Sequence, residues 1–118
     1  MGLDITIHRK GVPYGSDFWI NGRIKFGPIK NLMVEKYNYQ YGTDYLITWE
    51  VWSDLISIIE SKMREYIEND EFIENEEIHV KEDFYKDFYI YNNFKNFLYN
   101  IVDDVRDKTQ NWYFEATW

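Results

Sequence analysis

Hydrophobic and polar residues alternate near the beginning of the chain. Apolar side chains take every second position and polar ones the positions between, with Leu3, Ile5 and Ile7 against Asp4, Thr6 and His8. A period of two is typical of a strand with one buried face. The sequence therefore predicts a strand that begins at residue 3.

The next segment contains a strong turn signal. Asn21 and Gly22 separate two short apolar and aromatic runs, and both residue types tolerate the positive φ that a tight hairpin turn requires. We expect strands near residues 17–20 and 23–26. Pro28 then suits the start of a helix whose apolar face would hold Ile29, Leu32, Met33 and Tyr37. Alternatively, the whole stretch from Ile24 is helical, with Pro28 in its first turn.

Two longer segments show helical periodicity. After a short strand in "YLIT", Thr48 can cap a helix with an apolar stripe of Trp52, Leu55, Ile56, Ile59, Met63, Tyr66 and Ile67. A second helix is predicted from Asn93 to about Lys108, with Phe94, Phe97, Leu98, Ile101, Val102 and Val105 on one face. Both stripes are interpreted as core.

The end of the chain returns to strand periodicity. "NWYFEATW" alternates large apolar and polar positions, which predicts a final strand. Between the two helices, "EIHVK" and "DFYIY" could each add a further short strand. The pattern as a whole predicts one α+β domain over residues 1–118. Its mainly antiparallel sheet would carry two amphipathic helices packed on one face.

The most informative feature of the composition is the uneven distribution of charge along the chain. The net charge is −8, but residues 1–36 carry six basic and three acidic residues, whereas residues 37–118 carry seven basic and 18 acidic ones. Such an acidic surface repels nucleic acid and attracts basic protein surfaces. The chain has no cysteine, which excludes disulfides and thiol nucleophiles, and no apolar run long enough for a membrane span is present.

The acidic excess is concentrated in one stretch, which we call the acidic segment (residues 68–83). This segment contains eight acidic residues and only one lysine. The eight acidic residues are the predicted partner-binding residues: Glu68, Asp70, Glu71, Glu74, Glu76, Glu77, Glu82 and Asp83. If this stretch is helical, Glu71, Glu74 and Glu77 form a line of charges similar to a row of phosphates. The simpler interpretation is an acidic surface that keeps an aromatic-rich protein soluble.

Residue types that carry catalysis or hold metals are sparse. His8 and His79 are the only histidines, and neither has a neighbouring serine or cysteine that indicates acyl transfer. Asp103, Asp104 and Asp107 resemble a magnesium–diphosphate motif, but a chain of this length lacks the second acidic site of such enzymes, so we interpret them as a solvated helix face. No catalytic residue, cofactor or metal site is predicted.

The opening "MGLD", the tryptophan near residue 19, the helix after "YLIT" and the closing "WYFEATW" resemble small bacteriophage-encoded proteins that begin Met-Gly-Leu-Asp. The resemblance covers about the first 65 residues and the last few, and it supplies no site residues. In this chain "INGRIKFGP" follows the tryptophan where many of those proteins continue into a helix. The resemblance implies a phage accessory protein in the cytoplasm of a bacterial host.

These observations lead to two functional hypotheses. The first is an acidic inhibitor that occupies the nucleic-acid-binding cleft of a basic host protein, such as a CRISPR effector nuclease, without catalysis and without binding nucleic acid or membrane itself. The second is a small-molecule or nucleotide-binding module with an aromatic pocket formed by Trp19, Tyr39, Tyr41 and Trp49. The sequence leaves the partner's identity and the oligomeric state open.

Overall fold

Four antiparallel strands form one sheet in the computed structural model, which describes residues 4–9, 18–20, 27–68 and 78–117. The strands are β1 (Asp4–His8), β2 (Phe18–Ile20), β3 (Tyr45–Leu46) and β4 (Tyr113–Thr117), in the spatial order β2-β1-β4-β3. The predicted α+β class and the strands near both ends of the sequence are confirmed. The Asn21–Gly22 turn and the strand predicted after it lie outside the described residues.

The register of the central strands separates a buried face from an outer face. Ile5 lies opposite Ala116 and Ile7 lies opposite Phe114, and all four side chains are buried. Directly opposed residues share one face of a sheet, so these four form its inner layer. The alternating positions, including His8, are only partly buried and lie on the outer face. The alternation in the sequence thus predicted the correct face for Ile5, Ile7 and His8.

A short helix and a π-helical turn are the next described elements after β2. Helix α1 spans Gly27–Asn31 and continues into a π-helical turn over Leu32–Lys36. Ile29 and Met33 are completely buried, as the predicted apolar face requires. Helical structure is described from Gly27, and the alternative start at Ile24 lies outside the described residues.

Helix α2 spans Trp49–Glu68 and agrees closely with the sequence pattern. The Thr48 hydroxyl accepts a hydrogen bond from the Val51 backbone N–H at 3.3 Å, which confirms the predicted cap. The apolar stripe is buried from Trp52 to Met63. Ile67, which was predicted to belong to the same stripe, is 60% exposed, because the last turn of α2 extends beyond the buried cluster.

The second long helix begins much earlier than the predicted Asn93. Helix α3 spans Ile78–Asn100. The short strands suggested for "EIHVK" and "DFYIY" are therefore wrong, since all described residues of both segments are helical. In "DFYIY" the aromatic residues favour a strand locally, but packing of Tyr91 against α2 overrides that preference. Three residues at helical spacing, Tyr91, Phe94 and Leu98, are buried on one face of α3.

A turn at Ile101 separates α3 from helix α4 (Val102–Asp107), a break that the apolar stripe did not reveal. The backbone N–H of Ile101 lies 3.3 Å from both the Phe97 and the Leu98 carbonyl oxygens. Helix α4 ends at Asp107, and the following residue, Lys108, has a left-handed φ of 58°. The predicted end of the second helix is therefore confirmed, although the helix is divided.

Helices α2 and α3 pack antiparallel. Near the start of α2, the Trp52 indole donates a hydrogen bond to the Leu98 carbonyl near the end of α3, at 2.7 Å. Near the end of α2, the Tyr66 ring lies 6.1 Å from the ring of Tyr91. Within the described ranges, no helix combines the length and the apolar character that crossing a bilayer requires.

One buried hydroxyl group connects β4 to the turn that precedes β3. Tyr39 accepts a hydrogen bond from the Ala116 backbone N–H at 2.7 Å and donates one to the Thr43 carbonyl at 2.6 Å. We expect Tyr39→Phe to lower the free energy of unfolding by about 1–3 kcal/mol, because a buried N–H loses its partner. Urea denaturation measures this difference. Tyr41→Phe is the control, since Tyr41 is 68% exposed and should show almost no change; equal losses for both variants would contradict the assignment.

Candidate functional site

The structure describes the two boundaries of the acidic segment but not its middle. Glu68 is the exposed last residue of α2, and Glu82 and Asp83 lie on α3. The remaining predicted partner-binding residues fall outside the described residues: Asp70, Glu71, Glu74, Glu76 and Glu77. The proposed line of Glu71, Glu74 and Glu77 on one helix face therefore stays a prediction.

Burial decreases along α2 toward the acidic segment. Leu55 and Ile59 are completely buried in the first three turns, and Met63 is at the margin of the buried cluster. Tyr66 is only partly buried, and Ile67 and Glu68 are exposed. The acidic segment thus begins where α2 leaves the core.

Helix α3 also reaches beyond its contact with α2. Ile78 lies 13 positions before Tyr91, which is about 20 Å of helix, whereas Glu68 lies only two positions after Tyr66, which is about 3 Å. The part of α3 that carries Glu82 and Asp83 therefore extends past the end of α2. Both boundaries of the acidic segment lie at the same end of the helix pair.

Elsewhere, many described carboxylates have a cationic or hydrogen-bonding partner. Arg106 contacts Asp103 at 2.8 Å and Asp107 at 3.1 Å. Lys36, at the end of the π-helical turn, contacts Glu50 at 3.1 Å and Asp54 at 2.8 Å. Most of these side chains are exposed, so each pair contributes little to stability. They do reduce the local excess of negative charge.

Asp54 also links the π-helical turn to α2. Hydrogen bonds from Lys36 and from the Tyr37 hydroxyl hold the pKa of Asp54 below its usual value. Partial burial, together with the bond to Asp54, raises the pKa of Tyr37 to about 12. The cluster can therefore keep a charged carboxylate and a neutral phenol at neutral pH, and we assign it a structural role.

Asp104 does not fit the predicted solvated acidic face. Its two carboxylate oxygens accept hydrogen bonds from the Thr109 hydroxyl at 2.8 Å and from the Trp112 indole N–H at 3.1 Å. Its side chain therefore connects α4 to the start of β4. Asp103 and Asp107 are exposed, as expected.

The aromatic residues proposed for a pocket occupy different environments. Tyr39 is buried with its ring 5.4 Å from that of Phe114, Tyr41 is exposed, and Trp49 is 47% exposed and stacks on Trp52. The side chain of Trp19 is outside what the structure describes. An open surface depression of about 320 Å³ lies elsewhere, lined by Lys108, Thr109, Gln110, Asn111 and Tyr113. The described geometry therefore gives no support to a pocket formed by Tyr39, Tyr41 and Trp49.

Three potential metal ligands converge on the outer face of the sheet. His8 Nε2 lies 3.0 Å from Asp44 Oδ1 and 3.6 Å from Glu115 Oε2. One ligand atom from each residue lies within 4.8 Å of the other two. We call these three residues the His8 cluster.

The sheet explains how residues so far apart in sequence meet. His8 ends β1, and Glu115 lies on the neighbouring β4, two positions from the residue opposite His8. Asp44 immediately precedes β3, which pairs with the other side of β4. The sequence did not reveal this cluster, because positions 8, 44 and 115 share no local motif. Only the strand order brings them together.

Comparisons of the chain with protein-family models, with curated proteins and with solved structures found no match.

Proposed function

We propose that this protein acts by binding, as an inhibitor that occupies the nucleic-acid-binding cleft of a host defence nuclease in the bacterial cytoplasm. A CRISPR effector is the nuclease class to which we commit. The proposal rests on the placement of the acidic segment. Its two described boundaries lie at the same end of the α2–α3 pair, where the residues of α2 become exposed. The resemblance to phage proteins supports the same context.

Charge balance supports binding to a basic partner. Exposed carboxylates in the described region, such as Asp103 and Glu50, have cations beside them. In the acidic segment, eight carboxylates share one lysine, Lys81, so its sequence cannot supply the same neutralisation. Lysine and arginine side chains of a DNA-binding cleft would supply it, since they normally face phosphates.

The mechanism requires occupancy alone. The carboxylates would take the positions of DNA phosphates, and nearby aromatic residues, Phe72, Phe84 and Tyr85, would add apolar contact area. DNA is then excluded because both ligands need the same cations. No residue of this protein has to perform chemistry.

The test uses a panel of purified CRISPR effector nucleases loaded with guide RNA, and it measures binding of a labelled target DNA. Wild-type protein added before the DNA is expected to prevent DNA binding by at least one effector, and the inhibition should weaken as salt is added. The variant with Glu71→Gln, Glu74→Gln and Glu77→Gln should lose inhibitory potency by about tenfold or more, because cations in the cleft lose their counter-charges.

A control variant removes the same number of charges elsewhere. Glu35→Gln, Glu65→Gln and Asp103→Asn change exposed carboxylates outside the acidic segment. Asp104 is excluded from this control because its carboxylate is structural. The control should keep the wild-type potency. Equal losses for the two triple variants would show that only net charge matters, and a panel without any inhibited effector would refute the proposal.

A further inference from the structure

We infer that the His8 cluster is a binding site for a divalent transition-metal ion, with Zn²⁺ as the representative ion. The site would use His8 Nε2, one Asp44 oxygen and one Glu115 oxygen as ligands. It lies on the outer face of the sheet, and it depends on none of the residues of the acidic segment.

The distances fit a tetrahedral centre. Zn²⁺ bonds to nitrogen and oxygen of about 2.0–2.2 Å place neighbouring donor atoms about 3.4 Å apart. His8 Nε2 lies 3.0 Å from Asp44 Oδ1 and 3.6 Å from Glu115 Oε2, which brackets that separation. The third pair of donor atoms is within 4.8 Å, so small side-chain rotations are enough to close the site.

A metal ion also explains the arrangement better than a hydrogen bond does. One imidazole nitrogen faces two carboxylates, but a single N–H can be donated well to only one of them. Asp44 and Glu115 come from neighbouring segments of the sheet, where two like charges repel each other. A divalent cation contacts both carboxylates and neutralises their combined charge.

The exposure of the three side chains and the chemistry of their ligand atoms indicate which ions the cluster can bind. The side chains of His8, Asp44 and Glu115 are 22%, 36% and 37% exposed, so an ion can enter and water can complete its coordination. An imidazole ligand favours zinc and related transition metals, whereas magnesium and calcium prefer sites made of oxygen alone. A bound ion would connect β1, β4 and the turn before β3.

The test is calorimetric titration of the full chain, freed of metal with a chelator, first with Zn²⁺ and then with Mg²⁺. We expect one Zn²⁺ per chain, negligible Mg²⁺ binding and a higher melting temperature with Zn²⁺. His8→Asn and Asp44→Asn should each weaken Zn²⁺ binding by about tenfold or more, since each removes a direct ligand. Because Asp44 is exposed and precedes the strand, Asp44→Asn should leave the fold intact, which circular dichroism can check.

Two controls separate the cluster from other donors. His79→Asn removes the other histidine and Asp103→Asn removes an exposed carboxylate, and both variants should bind Zn²⁺ like the wild type. Zn²⁺ affinity that is unchanged by His8→Asn and Asp44→Asn would overturn the inference. Absence of Zn²⁺ binding at submillimolar concentration, or equal binding of Mg²⁺, would also overturn it.

Discussion

Replacing Phe114 by alanine is expected to lower the free energy of unfolding by about 3–5 kcal/mol. Phe114 is completely buried on the inner face of the central strand β4, opposite Ile7 on one neighbour and Tyr45 on the other. Its ring also lies 5.4 Å from that of Tyr39. Alanine would leave a cavity where three segments meet, and urea denaturation measures the loss.

Tyr113→Ala is the control for this variant, because Tyr113 is the preceding residue of the same strand and points to the outer face. It changes a similar aromatic volume and a similar local preference for strand structure. We expect a clearly smaller loss, since Tyr113 is only partly buried. A loss as large as that of Phe114→Ala would mean that the inner face of the sheet is not the main apolar contact of β4.

Trp52→Ala is expected to cost about 3–5 kcal/mol as well, through a different set of contacts. The Trp52 side chain is buried near the start of α2, where its indole donates to the Leu98 carbonyl and its ring packs edge-on against Tyr99 at 5.3 Å. The substitution removes both interactions between α2 and α3. Thermal and urea unfolding followed by circular dichroism measure the effect.

The control for Trp52 is the tryptophan that stacks on it. Trp49→Ala removes an indole that is 47% exposed and lies parallel to Trp52 at 5.0 Å. The loss for Trp49→Ala should be much smaller, because nearly half of Trp49 is already exposed to water. Similar losses for both variants would show that the stack, rather than the bond to α3, stabilises this end of the helix pair.

Sequence periodicity was sufficient to predict the secondary structure and the buried residues of segments that have one buried face along their whole length. This holds for β1, β4 and α2, whose buried residues follow the predicted spacing almost throughout. It failed for the first half of α3, where aromatic and β-branched residues favour a strand locally although the segment is helical. It also missed the turn at Ile101, because the apolar stripe continues across it.

The two candidate sites differ in what sequence can reveal. The acidic segment is continuous, so counting charges is enough to locate Glu68 to Asp83. The His8 cluster combines residues from β1, the turn before β3 and β4. It becomes visible only when the strand order is known. The alternation in β1 did place His8 on the outer face, but nothing in the sequence indicated which carboxylates would join it.

The pairing of β1 with β4 has a consequence for the order of folding. Asp4 lies opposite Thr117, so the central pair of the sheet joins positions separated by almost the entire described chain. During synthesis, α2 and α3 are complete before β4, the second partner of β1, exists. Until β4 is made, one edge of β1 offers unpaired backbone groups to other chains. Such distant pairing slows folding, so newly made copies of this protein spend longer exposed to aggregation than a helical protein of equal length.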